Sequence, residues 1–516
     1  MVWLDFFIDI TQEFWGDYGY SILFSIALIA IIVTCKEKLS RYLFLWYTLL
    51  VVIFIYNPLT LFVCRHFLEE STFSQYYQRF YSLIPVTVII AFGFMYLIKR
   101  FFGWRKLVAT FVALALIAVL GECIYTQDWF TKATNRNKVP QDVVTICDLF
   151  ADYEGDTIRI MAPLDIAVYL RQMDPRFSMP YVRSLPDEAY ELTNEDPDPS
   201  VIVEYCQEND VDYVVVSSAE TVLNRYLDYG FTVYGYTSQY TVLMPNDPDW
   251  ILTEYADASG LQGMCYTMYN QNDGTLIVID GGHAEDEDML REAIEDYGGT
   301  VDAWILTHYH MDHIDAFNEI YEDPQGIDIE QVYVTNLDAE LFYSVAQEWD
   351  DVDSFNKFLE ITADADNINY VARDDVLTFS DNLTITFFNA CDEVVTDSEG
   401  AQDIPNNDSL VFKMATDNRS ILICGDCHSE YMADYLVDTY GEQLDSDILQ
   451  CGHHGNNSMP TDSGFYELVS PEISIFDFPD DFMTSAQYTA GALAAYLQEL
   501  GSRIVWYKTA PNVFGF

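Results

Sequence analysis

The sequence predicts an α/β protein that is anchored to a membrane by four transmembrane helices. Two observations support this prediction. Four long apolar stretches, uncharged in their centres, lie within the first quarter of the 516 residues, and each comes close to the length that crosses about 30 Å of hydrocarbon. The rest of the chain alternates strand-like and helix-like patterns, as α/β domains do. We therefore expect a membrane region at residues 1–127 and two α/β domains, at 128–250 and 251–516.

Two further features of this region are a proline inside the second stretch and an aromatic, acidic segment before the first. Asn57-Pro58 is expected to kink the second stretch, because proline interrupts helical hydrogen bonding. The mixture of aromatic and acidic residues in 2–15 is typical of a segment at the membrane surface. The four predicted spans are Tyr18–Cys35, Tyr42–Val63, Phe80–Ile98 and Leu107–Ile124.

The basic residues predict the orientation of the membrane region. Seven of its nine Lys and Arg residues lie in two short loops, 36–41 and 99–106. Loops rich in Lys and Arg stay in the cytoplasm, so everything from about residue 125 onward is expected to be extracellular in a multi-pass protein of the cell membrane. No cationic segment precedes the first span, and we therefore expect no cleavable signal peptide.

Residues 128–250 are predicted to form a small Rossmann-like α/β domain. Gly230 is expected to end its last helix, and no phosphate-binding glycine loop occurs, so no chemistry is assigned to it. The segment 245–249 is expected to be a linker. Helices are expected at 165–172, 201–208 and 221–229, and strands at 157–161, 211–217, 231–236 and 240–244.

The net charge of −58 is concentrated in the part of the chain predicted to be extracellular. Residues 1–127 hold 9 basic and 8 acidic residues, so the remaining 15 basic and 74 acidic residues give 128–516 a balance of −59. DNA-binding proteins rely on Lys and Arg to displace counterions from phosphates, so a DNA partner is not expected. The acidity fits adaptation to a salty or crowded surrounding, or attraction of cationic substrates. The acidic run Asp350–Asp353 is expected to be a solvated face.

A dense cluster of metal-ligating residues follows the apolar run Ala303–Leu306. His308, His310, Asp312 and His313 lie within six positions, and three of the chain's eight histidines are among them. Neutral imidazole and carboxylate oxygen suit Zn²⁺ or Mn²⁺. His308 and His310 alternate along an extended segment and can reach one ion, while Asp312 and His313 turn toward a second. The segment thus predicts a site for two divalent metal ions.

Three further segments continue this pattern: a strand ending in Asp280 and two glycines, a strand ending in Asp426, and His453-His454-Gly455. Together with His-x-His-x-Asp-His at 308–313, they resemble the motifs of the metallo-β-lactamase superfamily. Asn406–Phe412 and the two later motifs are also similar to the C-terminal domain of ComEC-type competence proteins. The resemblance covers roughly residues 251–516 and implies an αββα sandwich that hydrolyses its substrate with two metal ions.

The resemblance also assigns the metal ligands. Asp426 is expected to bridge the ions, and the motif favours His454 over His453 as the last ligand, with both left open by the residues themselves. No histidine occurs from 314 to 427, where many family members carry a further ligand, so the first ion is expected to be held more weakly. The full set of predicted ligands is His308, His310, Asp312, His313, Asp426, His454 and His453.

Residues beside the ligands are expected to support them. Asp280 is expected to orient a ligand histidine from behind, and Asp312 to orient the attacking hydroxide in addition to binding metal. Asn407 and Ser409 are candidates for substrate contacts. Two histidines near the motifs but outside them are expected on the surface: His283 and His428.

These observations predict a membrane-anchored, extracellular hydrolase whose partners are the lipid bilayer and a small or polymeric substrate. The expected reaction is attack of a metal-bound hydroxide on a phosphodiester or ester. A surface protein that binds metal for stability without catalysis is the alternative, which the missing first-site histidine favours. A competence-type DNA nuclease is a third hypothesis, which the negative charge disfavours.

Overall fold

The computed structural model divides the chain into a helical unit, Met1–Ala133, and a mixed α/β unit, Thr134–Phe516. It describes residues 2–16, 18–67, 73–121, 125, 132–181, 185–256, 260–380, 382–396, 403–507 and 511–516. The boundary predicted at residue 127 lies outside the described residues, and the boundary predicted at residue 250 stays a prediction.

The first unit consists of helices. In chain order they are α1 (Val2–Trp15), α2 (Tyr18–Thr34), α3 (Lys38–Arg41), a π-helical turn (Tyr42–Trp46), α4 (Tyr47–Ile55), α5 (Pro58–Phe67), α6 (Phe73–Gln78), a 3₁₀ turn (Arg79–Leu83), α7 (Val86–Ile98) and α8 (Trp104–Leu120). Helices α2 and α7 approach closely where Gly93 meets Ala27, since a Cβ atom at Gly93 would lie 2.6 Å from the Cα atom of Ala27.

The prediction of four membrane spans is not confirmed. Among the described residues, two helical segments, Lys38–Ile55 and Tyr76–Ile98, are long and apolar enough to cross a membrane, and a third is added if the bent pair Phe6–Trp15 and Gly19–Thr34 forms one span. Helix α8, which overlaps the fourth predicted span, holds 17 residues, the lower limit of the length that crosses a membrane. The end of the fourth predicted span, at 122–124, lies outside the described residues.

The helix of the second predicted span is interrupted at Asn57-Pro58, where a kink was predicted. Helix α4 ends at Ile55 and α5 begins at Pro58. Proline disfavours a helical conformation in the residue before it and has no N–H to continue the helical hydrogen bonds. Asn57 reinforces the break, because its Oδ1 atom accepts a hydrogen bond of 2.9 Å from the backbone N–H of Leu59 and so caps the new helix.

The second unit begins with a five-stranded sheet in the order β2-β1-β3-β5-β4, in which β1, β2 and β3 are parallel and β4 and β5 form an antiparallel hairpin. Gly230 has φ 114° and ends the last helix, as predicted. The elements are α9 (Gln141–Leu149), β1 (Ile158–Met161), α10 (Leu164–Met173), β2 (Phe177–Ser178), a 3₁₀ turn (Asp187–Tyr190), α11 (Pro199–Glu208), β3 (Tyr213–Ser217), α12 (Glu220–Tyr229), β4 (Thr232–Tyr236) and β5 (Tyr240–Met244).

Two seven-stranded sheets follow, in the orders β13-β12-β10-β8-β7-β6-β21 and β14-β15-β16-β17-β18-β19-β20. Strands β9 and β11 lie outside both and pair with each other in a two-stranded sheet. The strands are β6 (Trp250–Glu254), β7 (Cys265–Asn270), β8 (Leu276–Asp280), β9 (Thr300–Val301), β10 (Ala303–Leu306), β11 (Asp328–Ile329), β12 (Val332–Val334), β13 (Ile368–Tyr370), β14 (Val376–Phe379), β15 (Leu383–Asn389), β16 (Val411–Ala415), β17 (Ser420–Ile423), β18 (Ile448–Gln450), β19 (Ile473–Phe476), β20 (Arg503–Trp506) and β21 (Asn512–Gly515).

Helices cover the outer face of each sheet. They are α13 (Glu287–Asp296), α14 (Met311–Glu322), α15 (Ala339–Val345), α16 (Val352–Thr362), α17 (Glu393–Thr396), α18 (Ile404–Asn407), α19 (Glu430–Tyr440), α20 (Phe465–Val469), α21 (Asp480–Thr484) and α22 (Ala490–Glu499), with 3₁₀ turns at Ala284–Asp286, Gly441–Leu444 and Gly452–Gly455. Helices α13, α14 and α16 pack on the first sheet, and α19, α20 and α22 on the second.

The inner faces of the two sheets form a shared apolar core. Ile279 and Ile305 of the first sheet pack in one cluster with Phe412 and Ile423 of the second, all fully buried. Burial on both faces explains why these strands read as nearly continuous apolar runs. The result is a four-layered αββα arrangement.

The strands that precede the sequence motifs are parallel to their neighbours. Strand β10 runs parallel to β8 in the first sheet, and β17, β18 and β19 run parallel in the second. Carboxyl ends of parallel strands meet at one edge of a sheet, which is where ligands bind in open α/β sheets. The motifs therefore emerge at the same edge of the sandwich.

Candidate metal centre

The first sheet supplies four side chains from one short segment. Strand β10 ends at Leu306, and α14 begins at Met311 with His310 as the extended residue before it (φ −76°, ψ 153°). The extended segment directs His308 and His310 inward, and the first helical turn does the same for Asp312 and His313. All four are buried to at least nine tenths, and ionisable side chains are rarely buried so far unless they are paired or bind a metal ion.

The second sheet supplies its side chains from two glycine turns. Gly425 has φ 52°, and a Cβ atom there would lie 2.9 Å from the Cβ atom of Thr307, so only glycine allows Asp426 to approach the first sheet so closely. His453 and His454 both have φ 53°. A left-handed backbone at two histidines in succession is costly, and such strain is characteristic of functional sites.

The side chains form two groups of three ligands. His308, His310 and Asp426 offer ligand atoms that all lie within 4.8 Å of one another, and so do Asp312, His313 and His454. Asp426 lies between the groups. Its carboxylate oxygens are 3.8 Å from Nε2 of His308 and 3.3 Å from Nε2 of His313. They are also 3.5 Å from Nε2 of His454.

The donor atoms of this cluster lack hydrogen-bond partners among the described residues. The Nε2 atoms of His308, His313 and His454 and Oδ1 of Asp426 are all buried without one. A buried polar atom without a hydrogen bond costs about 1–3 kcal/mol, so several at one point call for a ligand. Imidazole nitrogens and carboxylate oxygens that converge in this way fit divalent metal ions such as Zn²⁺ or Mn²⁺.

The protonation states of two ligands, His308 and Asp426, suit metal binding directly. Burial, together with the neighbouring His313 and His310, lowers the pKa of His308 well below its ordinary value, which leaves the imidazole neutral. Burial opposes ionisation of Asp426, but the imidazoles of His454 and His313 outweigh it and hold the pKa of the carboxyl group well below its ordinary value. A neutral imidazole and an ionised carboxylate are the forms that coordinate metal. Burial opposes protonation of His313 and His454, but Asp426 outweighs it and raises the pKa of both above the ordinary value, so these two imidazoles must release a proton to bind an ion.

Asp280 lies behind His313, at the position predicted for an orienting residue. It ends β8 with φ 52° and is fully buried. Its Oδ2 atom accepts hydrogen bonds of 2.7 Å from Nδ1 of His313 and of 2.7 Å from Oγ1 of Thr307. The bond fixes Nδ1–H on His313 and leaves Nε2 to face Asp426.

Asp350 lies behind His310, and the sequence did not identify it. The run Asp350–Asp353 was expected to be solvated, which is wrong for Asp350, whose residue surface is 3% exposed. Its Oδ1 atom accepts a hydrogen bond of 3.0 Å from Nε2 of His310, and its Oδ2 atom accepts one of 2.7 Å from the backbone N–H of Gln347. Because Nε2 is bound to Asp350, Nδ1 is the His310 atom left for a metal ion.

Two histidines outside the motifs were expected on the surface, but the structure buries them wholly or in part. His283 is 5% exposed, and its Nε2 atom lies 2.9 Å from the backbone oxygen of Gln262. His428 is half-buried; its Nε2 atom lies 3.2 Å from Oδ2 of Asp403, and its ring stacks on His453 at 4.9 Å. Burial lowers the pKa of His453 to about 4. His453 thus lies beside the two ligand groups without belonging to either.

Asn407 and Ser409, the predicted substrate contacts, are fully buried. Oδ1 of Asn407 accepts hydrogen bonds of 3.1 Å from the backbone N–H groups of His428 and Ser429. Oγ of Ser409 accepts one of 3.0 Å from the backbone N–H of Asp426. Both side chains therefore hold the loop that carries Asp426, and a contact with substrate stays a prediction.

Comparison with known protein families identifies the fold of the C-terminal region. Residues 259–463 match the family model described as "Metallo-beta-lactamase superfamily". The C-terminal region therefore has the fold of this superfamily of metal-dependent hydrolases. The match spans the first ligand segment, Asp426 and the histidine pair. Similarity to ComEC-type proteins in particular is not confirmed by it. A search of curated proteins finds no match.

Solved structures with similarity to this chain include the following three. The metallo-β-lactamase fold protein YhfI from Bacillus subtilis is 14% identical with a TM-score of 0.33, over 52% of this chain and 100% of that one. Igni18, a metallo hydrolase from Ignicoccus hospitalis, has the same identity and TM-score over 52% and 99%. A diphosphatase of the PhnP family is 14% identical with a TM-score of 0.30, over 52% and 98%. These TM-scores are too low to bear on the function of this chain.

Proposed function

We propose that this protein is a membrane-anchored hydrolase that cleaves a phosphodiester or ester with two divalent metal ions. The observation that carries the proposal is the pair of three-ligand groups, with Asp426 between them. The superfamily fold of the C-terminal region supports hydrolysis as the reaction class, and the unpartnered buried donor atoms support metal binding.

The residues of the centre would divide the work as follows. His308, His310 and Asp426 would hold the first ion, and Asp312, His313 and His454 the second, with Asp426 shared. Two such ions supply an activated water and neutralise the charge that develops on the substrate oxygens. Asp312 is 3.3 Å from Nε2 of His454 and 3.3 Å from Nε2 of Gln262, and it would orient the attacking water through its carboxylate.

Metal analysis of the purified full-length chain tests the centre. We expect close to two zinc or manganese ions per chain, and a loss of at least one ion in His310→Ala and in Asp426→Ala. His66→Ala is the matched control, because His66 lies in the helical unit, in α5. One ion or none in the unaltered chain would favour the alternative, a surface protein stabilised by metal without catalysis, for which the absence of histidine from 314 to 427 speaks.

Turnover of model substrates tests catalysis separately. We expect the metal-loaded chain to hydrolyse bis-p-nitrophenyl phosphate or p-nitrophenyl esters, and Asp312→Ala to lose at least 100-fold in kcat, as is typical when a group acting in the transition state is removed. Two bound ions without any turnover would contradict the proposal and leave the non-catalytic alternative.

We further propose that the metal centre lies outside the cell. The apolar helical segments Lys38–Ile55 and Tyr76–Ile98 and the basic loops 36–41 and 99–106 support this orientation. An epitope inserted at 245–249 should be accessible to antibody on intact cells, and the same epitope at 101–103 should become accessible only after permeabilisation. The reverse pattern would place the centre in the cytoplasm.

A further inference from the structure

The geometry points to a substrate with an apolar chain: we propose that the metal centre acts on an amphiphilic ester or phosphodiester. This proposal rests on the function proposed above and names its substrate class. It is carried by three exposed apolar side chains beside the ligands, Leu261, Met311 and Trp349, which we call the apolar rim.

Each rim residue is covalently next to a residue of the centre. Met311 lies between the ligands His310 and Asp312. Trp349 precedes Asp350, which binds His310. Leu261 precedes Gln262, whose Nε2 atom is 3.3 Å from Oδ2 of Asp312. Since neighbouring Cα atoms are about 3.8 Å apart, each rim residue starts one residue away from a predicted ligand or from a side chain that binds one.

The rim is exposed although its side chains are large and apolar. Trp349 is 70% exposed, Leu261 49% and Met311 39%. Single exposed apolar residues are common on protein surfaces, but several next in sequence to the residues of one polar site are typical of a ligand-binding surface. Ligand sites combine an apolar lining with a few polar groups that fix orientation, and here the metal ligands provide the polar part.

The charges around the rim favour an apolar chain over a polyanion. The residues next to the rim in sequence are Gly260, Gln262, His310, Asp312, Glu348 and Asp350, without a Lys or Arg. A polymeric phosphate would need cations along its path, whereas an alkyl chain needs only apolar surface. The helical unit of the same chain holds two segments apolar enough to cross a membrane, and an enzyme anchored by them would share its membrane with amphiphiles.

The test compares two phosphodiesters that differ only in their alkyl group, methyl p-nitrophenyl phosphate and decyl p-nitrophenyl phosphate. The full-length, metal-loaded chain is assayed in one detergent. Each buried methylene is worth about a factor of four in affinity, so even partial burial of the chain should raise kcat/KM for the decyl ester at least about tenfold over the methyl ester. Partition of the decyl ester into detergent is the same for all variants and cancels when their ratios are compared.

Substitution of the rim should remove the preference. In Trp349→Gln, Met311→Gln and Leu261→Gln we expect the decyl-to-methyl ratio of kcat/KM to fall. The largest decrease among the three variants should be about tenfold. Leu500→Gln is the matched control, because Leu500 is 43% exposed and lies at the end of α22, and its ratio should equal that of the unaltered chain. Metal content is measured for every variant, so that loss of the centre is separated from loss of the rim.

The outcomes distinguish this proposal from the one on which it rests. Hydrolysis of both diesters with an unaltered ratio in all three metal-loaded rim variants overturns the substrate class and leaves the hydrolase standing. Hydrolysis of neither diester, and of no p-nitrophenyl ester, by a chain that holds two ions overturns the proposed function and this inference with it.

Discussion

Two buried carboxylates hold imidazoles of the centre in place, one behind each ligand group. Asp280 binds Nδ1 of His313 at 2.7 Å, and Asp350 binds Nε2 of His310 at 3.0 Å. A carboxylate behind a ligand histidine fixes its tautomer and raises its basicity, and its removal weakens metal binding by about 10- to 100-fold. Since the two carboxylates serve different groups, each should affect a different ion.

Asp280→Asn should selectively weaken the binding of the second ion. Asparagine cannot accept from His313 and Thr307 as a carboxylate does, so we expect the affinity for one of the two ions to fall about 10- to 100-fold. Stepwise titration of the metal-free chain measures this. Asp302→Asn is the control, since Asp302 binds the backbone N–H of Leu276, away from the centre, and both affinities should stay unchanged there.

Asp350→Asn should lower the affinity for the first ion by a similar factor, because its partner His310 belongs to the first ligand group. The double variant Asp280→Asn/Asp350→Asn should then lose affinity at both steps of the titration, with roughly additive effects. An identical loss of the same ion in both single variants would contradict the assignment of the two carboxylates to separate groups.

The structure brings together the ligands that short sequence motifs predicted, and it adds a supporting residue, Asp350, that no motif contained. Spacing alone is enough to predict a metal site at His308, His310, Asp312 and His313. Asp350 lies 40 residues from its partner His310 and in a run of acids that resembles any solvated surface. Only the fold brings it to the imidazole, so no pattern in the chain could have separated it from Asp351 or Asp353.

At the scale of elements, Arg373 ties the start of the second sheet to the loops of the centre. It follows β13 and donates to both carboxylate oxygens of Asp392, to the backbone oxygen of Phe388 and to Oδ1 of Asn389. Asn389 in turn donates to the backbone oxygens of Asn407 and Ser409. The network therefore supports the loop that binds the Asp426 turn.

Asp392→Asn should destabilise the second unit in a pH-dependent way. Burial opposes ionisation of Asp392, but the hydrogen bonds from Arg373 outweigh it and lower the pKa of the carboxyl group below its ordinary value of 3.8. The stabilisation is therefore present above pH 3.8 and is lost as the pH falls through the lowered pKa. We expect up to about 1 kcal/mol at pH 7, because the carboxylate is partly exposed and screened by water.

Thermal unfolding of the unaltered chain and of Asp392→Asn at pH 7 and at steps below pH 4 measures this difference. The gap between the two should be constant from neutral pH down to about pH 4 and close below it. A gap that stays constant down to pH 2 would show that the destabilisation by the amide does not depend on the charge of the carboxylate.

Elements with strong local signals were predicted within a few residues. Strands β3, β4 and β5 and helices α10, α11 and α12 fall inside or next to their predicted ranges, because turn residues and alternation mark their ends. The membrane region was predicted less well. Apolar composition specifies that a segment is buried in lipid or protein, but it does not specify where one helix stops, as the break at Asn57-Pro58 demonstrates.

For the whole molecule, the charge balance of −59 in residues 128–516 is the dominant electrostatic property. Like charges destabilise a folded state through repulsion, and salt screens them over about 10 Å at 0.1 M. We expect the unfolding temperature of the second unit to rise by several degrees between 10 mM and 1 M sodium chloride. Potassium chloride should have the same effect if screening is the cause. A decrease with either salt would mean that specific ion pairs outweigh the general repulsion.

The division of the ligands between the two sheets has a consequence for assembly. Each three-ligand group takes two side chains from the segment before residue 370 and one from the segment after residue 420: His308 and His310 with Asp426, and Asp312 and His313 with His454. Neither half of the sandwich can complete either group by itself. Metal would thus bind fully only after both halves have folded and docked. Fragments of this chain expressed separately would have to associate before either could retain an ion.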